Sequence, residues 1–466
     1  MNMMTRVGDF ESVFAKARKQ ARQSGRPVLA VLAFPWSGAD PMALYQRLET
    51  MGGDCLYWET REPELVLLGI GRALECVPDA DSGLAGLQRR WRRLNDEAVI
   101  EGTSGARAIG GLRFDQAADR HWPWRRFPDA CLTVPRLLLE CTARESRLIC
   151  HKLVRQDDDP VVEGHRYRRD IETLLLGERA ALSSPPAPTL IREQGIGARQ
   201  WQAKAETLIA AIRAGRMNKV VLARHLHQTY SERLSAATVL RRLRDTDSHS
   251  HLFAVRHGGL CFLGATPERL VSVNDGRVET HALAGTVRRG SDPEADQRLG
   301  EQLLASAKDR HEHEWVVQAI RDALRPLLDE LRVSPEPVLH RLPVMQHLST
   351  RIEGRVAAGA GVLELVEAMQ PTPAVAGYPK HEALACIRVH EGFDRGWYAG
   401  PLGWIDGAGN GDFVVALRSA LISGRECHLF AGCGLVADSV PEQEYGETSL
   451  KLSCMQRALA GDGREG

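Results

Sequence analysis

HLFAVRHGGLCFLGATPERLVSV, residues 251–273, decides the architecture. Two runs rich in aliphatic, aromatic and β-branched residues flank His257-Gly258-Gly259, and a glycine pair between such runs predicts a β-hairpin. Outward from it, KVVLARHLH (219–227) predicts a strand upstream. GWYAGPLGWID (396–406), GDFVVALRSALI (411–422) and ECHLFAGCGLV (426–436) predict strands downstream. ARQWQAKAETLIAAIRAG (198–215) is helical with Gly215 as its stop. A long helix is expected from about Asp296 to Pro326, with Leu299, Leu303, Val316, Ile320 and Leu324 near four-residue spacing, and a last helix from about Pro441. Strands in mostly antiparallel order with helices outside give an α+β fold rather than a βαβ chain.

The first part of the chain is less distinctive. FESVFAKARKQARQ (10–23) is an amphipathic helix. RPVLAVLAF (26–34), ELVLLGI (64–70) and RLLLECT (136–142) are strands, and AIGGLRFD (108–115) is a strand with a glycine turn. SSPPAPT (183–189) is the best candidate boundary, dividing residues 1–190, a structural part, from 191–466, the catalytic region. Lys plus Arg is 60 and Asp plus Glu is 60 in 466 residues, so no net field draws the chain to nucleic acid or a membrane surface. The opening MNMMTRVGDFESVFAKARKQ is charged, and no apolar run approaches the roughly 18 residues of a span, so a cytoplasmic protein is expected. Ten cysteines form no CxxC and lie mostly among apolar neighbours, as reduced thiols do.

Function is concentrated in two acidic pairs. Asp309 and Glu312 lie in KDRHEHEWVV, and Glu444 and Glu447 in PEQEYGETSLK. Spacing of i, i+3 puts each pair on one helix face. Four carboxylates in one cleft form a hard oxygen site suited to Mg²⁺. Singly, each pair is more often a solvated face, and Glu447 with Lys451 reads as an ordinary i, i+4 ion pair. Lys219, with Val221 and Ala223 on its face, is more often a strand-edge charge. Glu268 in ATPERL is more often a turn carboxylate. Together, one amine and one carboxyl at a pocket supply a base and an acid. His311 and His313 fail the zincin pattern because Trp315 stands where HExxH needs histidine. Gly285, Gly432 and Gly434 leave room for backbone N–H groups to meet a carboxylate. Arg418, inside the apolar FVVALRSALI, needs an anionic partner, whereas His347 in VMQHLST is more often a satisfied core residue.

Taken in order, KVVLAR, FLGATPERL, ALAGT, the two acidic helices, YAGPLGW and FAGCGLV resemble the chorismate-utilising enzymes, and within them the isochorismate synthases. The resemblance is most specific over about residues 195–460. It implies two large antiparallel sheets stacked on one another, helices outside, and the active site in the cleft between them. The Pro/Ser stretch is then a surface loop within one compact fold. By the same resemblance Glu312 and Glu447 match the principal Mg²⁺ ligands, and Asp309 and Glu444 the second acidic positions. Lys219 matches the lysine that activates water, and Glu268 the acid that protonates the leaving hydroxyl. Gly285, Thr286, His347, Ala374, Val375, Tyr398, Arg418, Phe430, Ala431, Gly432 and Lys451 match substrate-pocket positions.

Relatives that use ammonia resemble this chain but carry glutamine at the Lys219 position and work with a glutaminase partner. Some also place a nucleophilic lysine where this chain has Ala284. Lys219 with Ala284 therefore implies water as nucleophile, no covalent intermediate and no glutaminase subunit. Salicylate synthases share the Lys/Glu pair and go on to eliminate pyruvate, and PTPAVAGYPK (371–380) looks closer to the isochorismate-only enzymes. The expected reaction is chorismate to isochorismate, feeding a salicylate-based or other siderophore or menaquinone. The alternatives are salicylate synthase and a non-catalytic chorismate- or metal-binding protein.

Overall fold

A computed structural model describes residues 7–460 apart from 39, 80, 104, 176–187, 248 and 343–344. Most of the Pro/Ser stretch 183–189 therefore lies outside the described residues. The fold is α+β. Thirteen described strands form one sheet and ten form another. Among the described pairs only Val28–Pro35 with Val99–Glu101 is parallel. Strands from both sides of residue 190 share each sheet: Cys55–Arg61 pairs with His251–His257, and Arg107–Leu112 with Pro401–Asp406.

The hairpin forms as its glycines require. Strands His251–His257 and Leu260–Thr266 join through Gly258 and Gly259, whose φ values of 58° and 83° belong to the left-handed region. Side chains then alternate. Phe253 and Val255 enter the core between the sheets, while Leu252 and Ala254 enter a second core under the helices Val7–Ser24, Pro41–Met51, Ala236–Thr246 and Pro441–Ala460. Each such large apolar side chain contributes about 1.5–3 kcal/mol when fully buried.

Local expectations are corrected in four places. The long helix near residue 306 is two, Pro293–Ala305 and Ala307–Leu324, because Ser306 is extended and its hydroxyl accepts the Asp309 N–H as an N-cap. Gly110 and Gly111 lie inside the strand Arg107–Leu112 rather than at a turn: a Cβ at Gly110 would meet the Cys131 carbonyl oxygen at 1.9 Å. In GWYAGPLGWID only Pro401–Asp406 is strand, and residues 396–400 form turns. FVVALRSALI is two strands, Gly411–Val415 and Ser419–Ser423, with Arg418 between them at φ 47°.

That last break changes the sheet. Gly411–Val415 belongs to the second sheet and Ser419–Ser423 to the first. The chain makes the opposite passage between Leu260–Thr266 and Arg269–Asn274. The two passages lie side by side and bond to one another. Val415 N donates to Glu268 O at 2.9 Å, Ala265 N to Arg418 O at 3.2 Å, and the fully buried Thr266 hydroxyl to Val415 O at 2.7 Å. Glu268 N donates in turn to that hydroxyl at 3.2 Å.

Thr266→Val keeps the shape and removes the hydroxyl. It leaves the Glu268 N–H without its acceptor, so denaturant titration should show a loss of about 1–3 kcal/mol. Unchanged stability would mean that the passages are held by packing alone.

Candidate active site

Between the sheets, next to both passages, lies a cavity. Its floor is the strand Lys219–Tyr230, contributing Lys219 and Val221, and the paired strand Glu426–Leu435, contributing Phe430, Ala431, Gly432 and Gly434. The second sheet adds Leu283, Ala284, Gly285, Thr286 and His347. The passages add Pro267, Glu268, Leu417 and Arg418, and the helices Ala307–Leu324 and Pro441–Ala460 add Glu312, Glu447 and Lys451. Ala374, Val375, Arg395 and Tyr398 close the remaining side. Every residue expected to be catalytic or substrate-binding is therefore on this one wall. Of the four expected metal ligands, Glu312 and Glu447 line it; Asp309 and Glu444 are set behind.

Lys219 is not the solvated edge charge of the simpler reading. It is 1 % exposed, and its Nζ lies 2.8 Å from Glu312 Oε1. Gly434 makes that pair possible, since a Cβ there would sit 2.8 Å from Lys219 Cε and 2.9 Å from Glu312 Oε1. Burial pushes the Glu312 carboxyl up, but Lys219, Lys308 and Lys451 outweigh it and hold it below its ordinary value. Glu268 differs. Burial raises its carboxyl to about 7 against the opposing fields of Lys219, Lys451 and Arg418, so it keeps a proton near neutrality.

The cationic side is uneven. Lys451 Nζ meets Glu447 Oε1 at 2.5 Å and Gly432 O at 3.0 Å. Arg418 donates to the thioether of Met345 at 2.8 Å and has no carboxylate within ion-pair distance among the described residues. A guanidinium so placed matches an incoming carboxylate. Burial, then Arg418 and Lys451, hold the His347 imidazole well below its ordinary range, hence neutral. Its Nδ1 lies 3.0 Å from Thr286 Oγ1 and 3.2 Å from Gly285 O, so this histidine braces the bulged strand around Gly285, whose φ is 72°. Tyr398 stacks on Phe430 at 5.3 Å, and burial lifts its hydroxyl to about 12.

Behind the wall, Asp309 bonds the Ser306 hydroxyl, and Glu444 lies 3.5 Å from Lys308. Both carboxyls are raised, first by burial; the fields of Glu312 and Glu447 add to this at both. His311 is exposed and His313 is buried against Thr350 Oγ1 at 2.7 Å, so neither joins the cavity. Sequence reasoning missed Arg395, Leu417, Pro267, Val221 and Leu283. Arg395 had a signal: Asp394-Arg395 is a charged pair set between Phe393 and Trp397-Tyr398.

The model of the family described as chorismate binding enzyme matches residues 16–460. The chain is 43% identical over 453 residues to the salicylate biosynthesis isochorismate synthase of Pseudomonas aeruginosa, covering 97% of this chain and 94% of that protein. It is 32% identical over 476 residues to isochorismate synthase MenF of Bacillus subtilis, covering 98% of each. Among solved structures it is similar to the menaquinone-specific isochorismate synthase MenF of Escherichia coli, with TM-score 0.80, 27% identity, and coverage of 96% of this chain and 100% of that one. Anthranilate synthase component I of Streptococcus pneumoniae shares the fold, with TM-score 0.70 at 22% identity, covering 84% of this chain and 92% of that one.

Gly434→Ala should displace Lys219 and Glu312 together. A misplacement of about 1 Å at reacting groups costs on the order of 100-fold in rate, so kcat should fall on that scale. A kcat within threefold of the parent would remove the pair from the chemistry.

Proposed function

The chain belongs to the chorismate-binding enzyme family, and on that premise we propose that it is an isochorismate synthase, converting chorismate to isochorismate. One observation carries the reading: Lys219 and a Glu268 carboxyl raised to about 7 face the same cavity. Lys219, which must be the free amine to act as the base, takes a proton from water as the oxygen attacks ring C2. The ring double bonds shift, the C4–O bond breaks, and Glu268 supplies the proton with which the hydroxyl leaves as water. One water enters and one departs. The proton left on Lys219 returns to Glu268 through solvent before the next cycle.

Arg418 and Lys451 suit the carboxylates of a dianionic substrate, and Tyr398 with Phe430 gives its ring an apolar wall. Lys219 in place of glutamine, and Ala284 in place of an amine, favour water as nucleophile with no glutaminase partner. The higher identity to the salicylate-biosynthesis relative supports a product destined for salicylate. No helix among the described residues is long and apolar enough to cross a membrane.

Glu312 and Glu447, with Asp309 and Glu444 behind them, would hold Mg²⁺. The donor set is all oxygen, and the fields of Glu312 and Glu447, which add to burial in raising Asp309 and Glu444, are of the sign a dication relieves. Among the described residues no three such groups are gathered as a ready metal shell, because Lys219 and Lys451 occupy the inner carboxylates. When bound, the ion supplies a fixed positive charge for a substrate carboxylate.

With chorismate and Mg²⁺, chromatography of a time course should show isochorismate approaching an equilibrium mixture, with little pyruvate or salicylate. Stoichiometric pyruvate and salicylate would replace this reading with salicylate synthase, and ammonium-dependent anthranilate would remove both. EDTA should abolish turnover, and calorimetric Mg²⁺ binding should be lost in Glu312→Ala; full activity of metal-free enzyme would reduce the acidic helices to structure. Lys219→Ala should lose about 10²–10⁴-fold in kcat.

Glu268→Gln separates chemistry from stability. An acid must be protonated, so kcat/KM should fall as pH rises through about 7 in the parent. The folded carboxyl is raised above its ordinary 4.5, so ionising it costs the folded state roughly 3 kcal/mol, and stability falls as pH rises from about 4.5 to about 7. Glu268→Gln should therefore raise Tm at pH 8 while losing turnover. Normal kcat across pH would assign the acid elsewhere.

A further inference from the structure

The strand bearing Lys219 has a gap in one edge. On that side the short strand Gly377–Tyr378 pairs with Lys219 and Val220, and Leu190–Gly195 pairs only from Leu226 onward. Between them the N–H and C=O groups of Val221 and Ala223 point outward with no strand to meet them. Val221 N reaches Ala376 O at 2.8 Å. Side chains meet two more of these groups. Glu391 Oε1 accepts the Ala223 N–H at 2.7 Å, and an Arg395 terminal nitrogen donates to Val221 O at 3.0 Å. Glu391 and Arg395 also grip each other, through Nε to Oε2 at 2.8 Å and through a second, shorter contact. Their side chains are 1 % and 3 % exposed.

We infer that the Glu391–Arg395 pair is a substitute strand segment that positions Lys219 for the reaction proposed above. A carboxylate and a guanidinium present one acceptor and one donor at the spacing a neighbouring backbone would. The other Arg395 terminal nitrogen donates to Val375 O at 2.8 Å, so the pair also fixes a second wall of the cavity. It is a partition too: Arg395 lines both the candidate active site and a larger cavity of about 690 Å³ on the far side. Arg395 has its donors spent on Glu391, Val375 and Val221 and does not act as a substrate ligand. The pair is a positioning device, and the inference rests on the isochorismate synthase reading only for its kinetic consequence.

The test uses the full chain and two substitutions at one position. Glu391→Asp keeps the charge facing Arg395, so folding is preserved, but draws the carboxylate back from Ala223. Amide exchange at Ala223 should rise at least about tenfold, and kcat should fall at least about tenfold with KM within threefold. Glu391→Gln keeps an oxygen at the Ala223 N–H but sets its amide N–H2 against the Arg395 Nε–H, so it breaks the pair from its other side, and kcat should again fall at least about tenfold with KM within threefold. Unchanged exchange at Ala223 in Glu391→Asp overturns the inference whatever the activity does. A raised KM with parental kcat overturns it by making the pair part of the substrate site. If the parent makes no isochorismate, the activity reading fails while the exchange result still decides the structural claim.

Discussion

The hydrogen bond from the Thr266 hydroxyl to the Val415 carbonyl, 2.7 Å long, holds together two places where the chain changes sheets. A segment leaving a sheet gives up its ladder, and buried backbone groups without partners are costly. Here two such segments supply each other. Val415 bonds Glu268, Ala265 bonds Arg418, and the Thr266 hydroxyl serves both. The side chains of Glu268 and Arg418 consequently leave rigid backbone rather than a surface loop, and they enter the same cavity.

The cavity is expensive to maintain in electrostatic terms. Lys219, Glu312, Glu447 and Lys451 offset one another in two tight pairs, the first largely buried and the second partly exposed. Glu268 and Arg418 are left over, one raised by burial and one lacking a carboxylate partner. These are the two groups that folding alone would replace. Their retention is the mark of a site whose groups are complementary to a ligand rather than to each other.

Much of this was legible in the sequence, though unevenly. Two β-rich runs around Gly258-Gly259 mark the hairpin, and the order of such runs marks α+β, because both depend on local composition. Lys219 and Glu268 were ambiguous alone and became informative only as members of an ordered set of segments. Ser306 escapes notice because the four-residue spacings on its two sides, Leu299 to Leu303 and Val316 to Ile320 to Leu324, read as one helix, although its S-x-x-D capping pattern is present. Arg418 was taken for a strand residue because the apolar run around it is unbroken; change of sheet leaves no signature in hydropathy. The Glu391–Arg395 pair was invisible, since its meaning lies in a strand edge that no sequence pattern marks as incomplete.

The interleaving of early and late strands has a consequence for how the protein is made. Trp58 finds its neighbour in Phe253, and Ile109 in Trp404. Ala223 finds its neighbour in Gly432, far downstream of it. A ribosome delivering this polypeptide releases its amino-terminal strands long before their partners exist, with apolar faces and open edges awaiting completion. The floor on which Lys219 stands is among the last parts to close. Nascent chains are thus catalytically silent, and exposed to chaperones and proteases, until the strand Glu426–Leu435 and the helix Pro441–Ala460 have emerged.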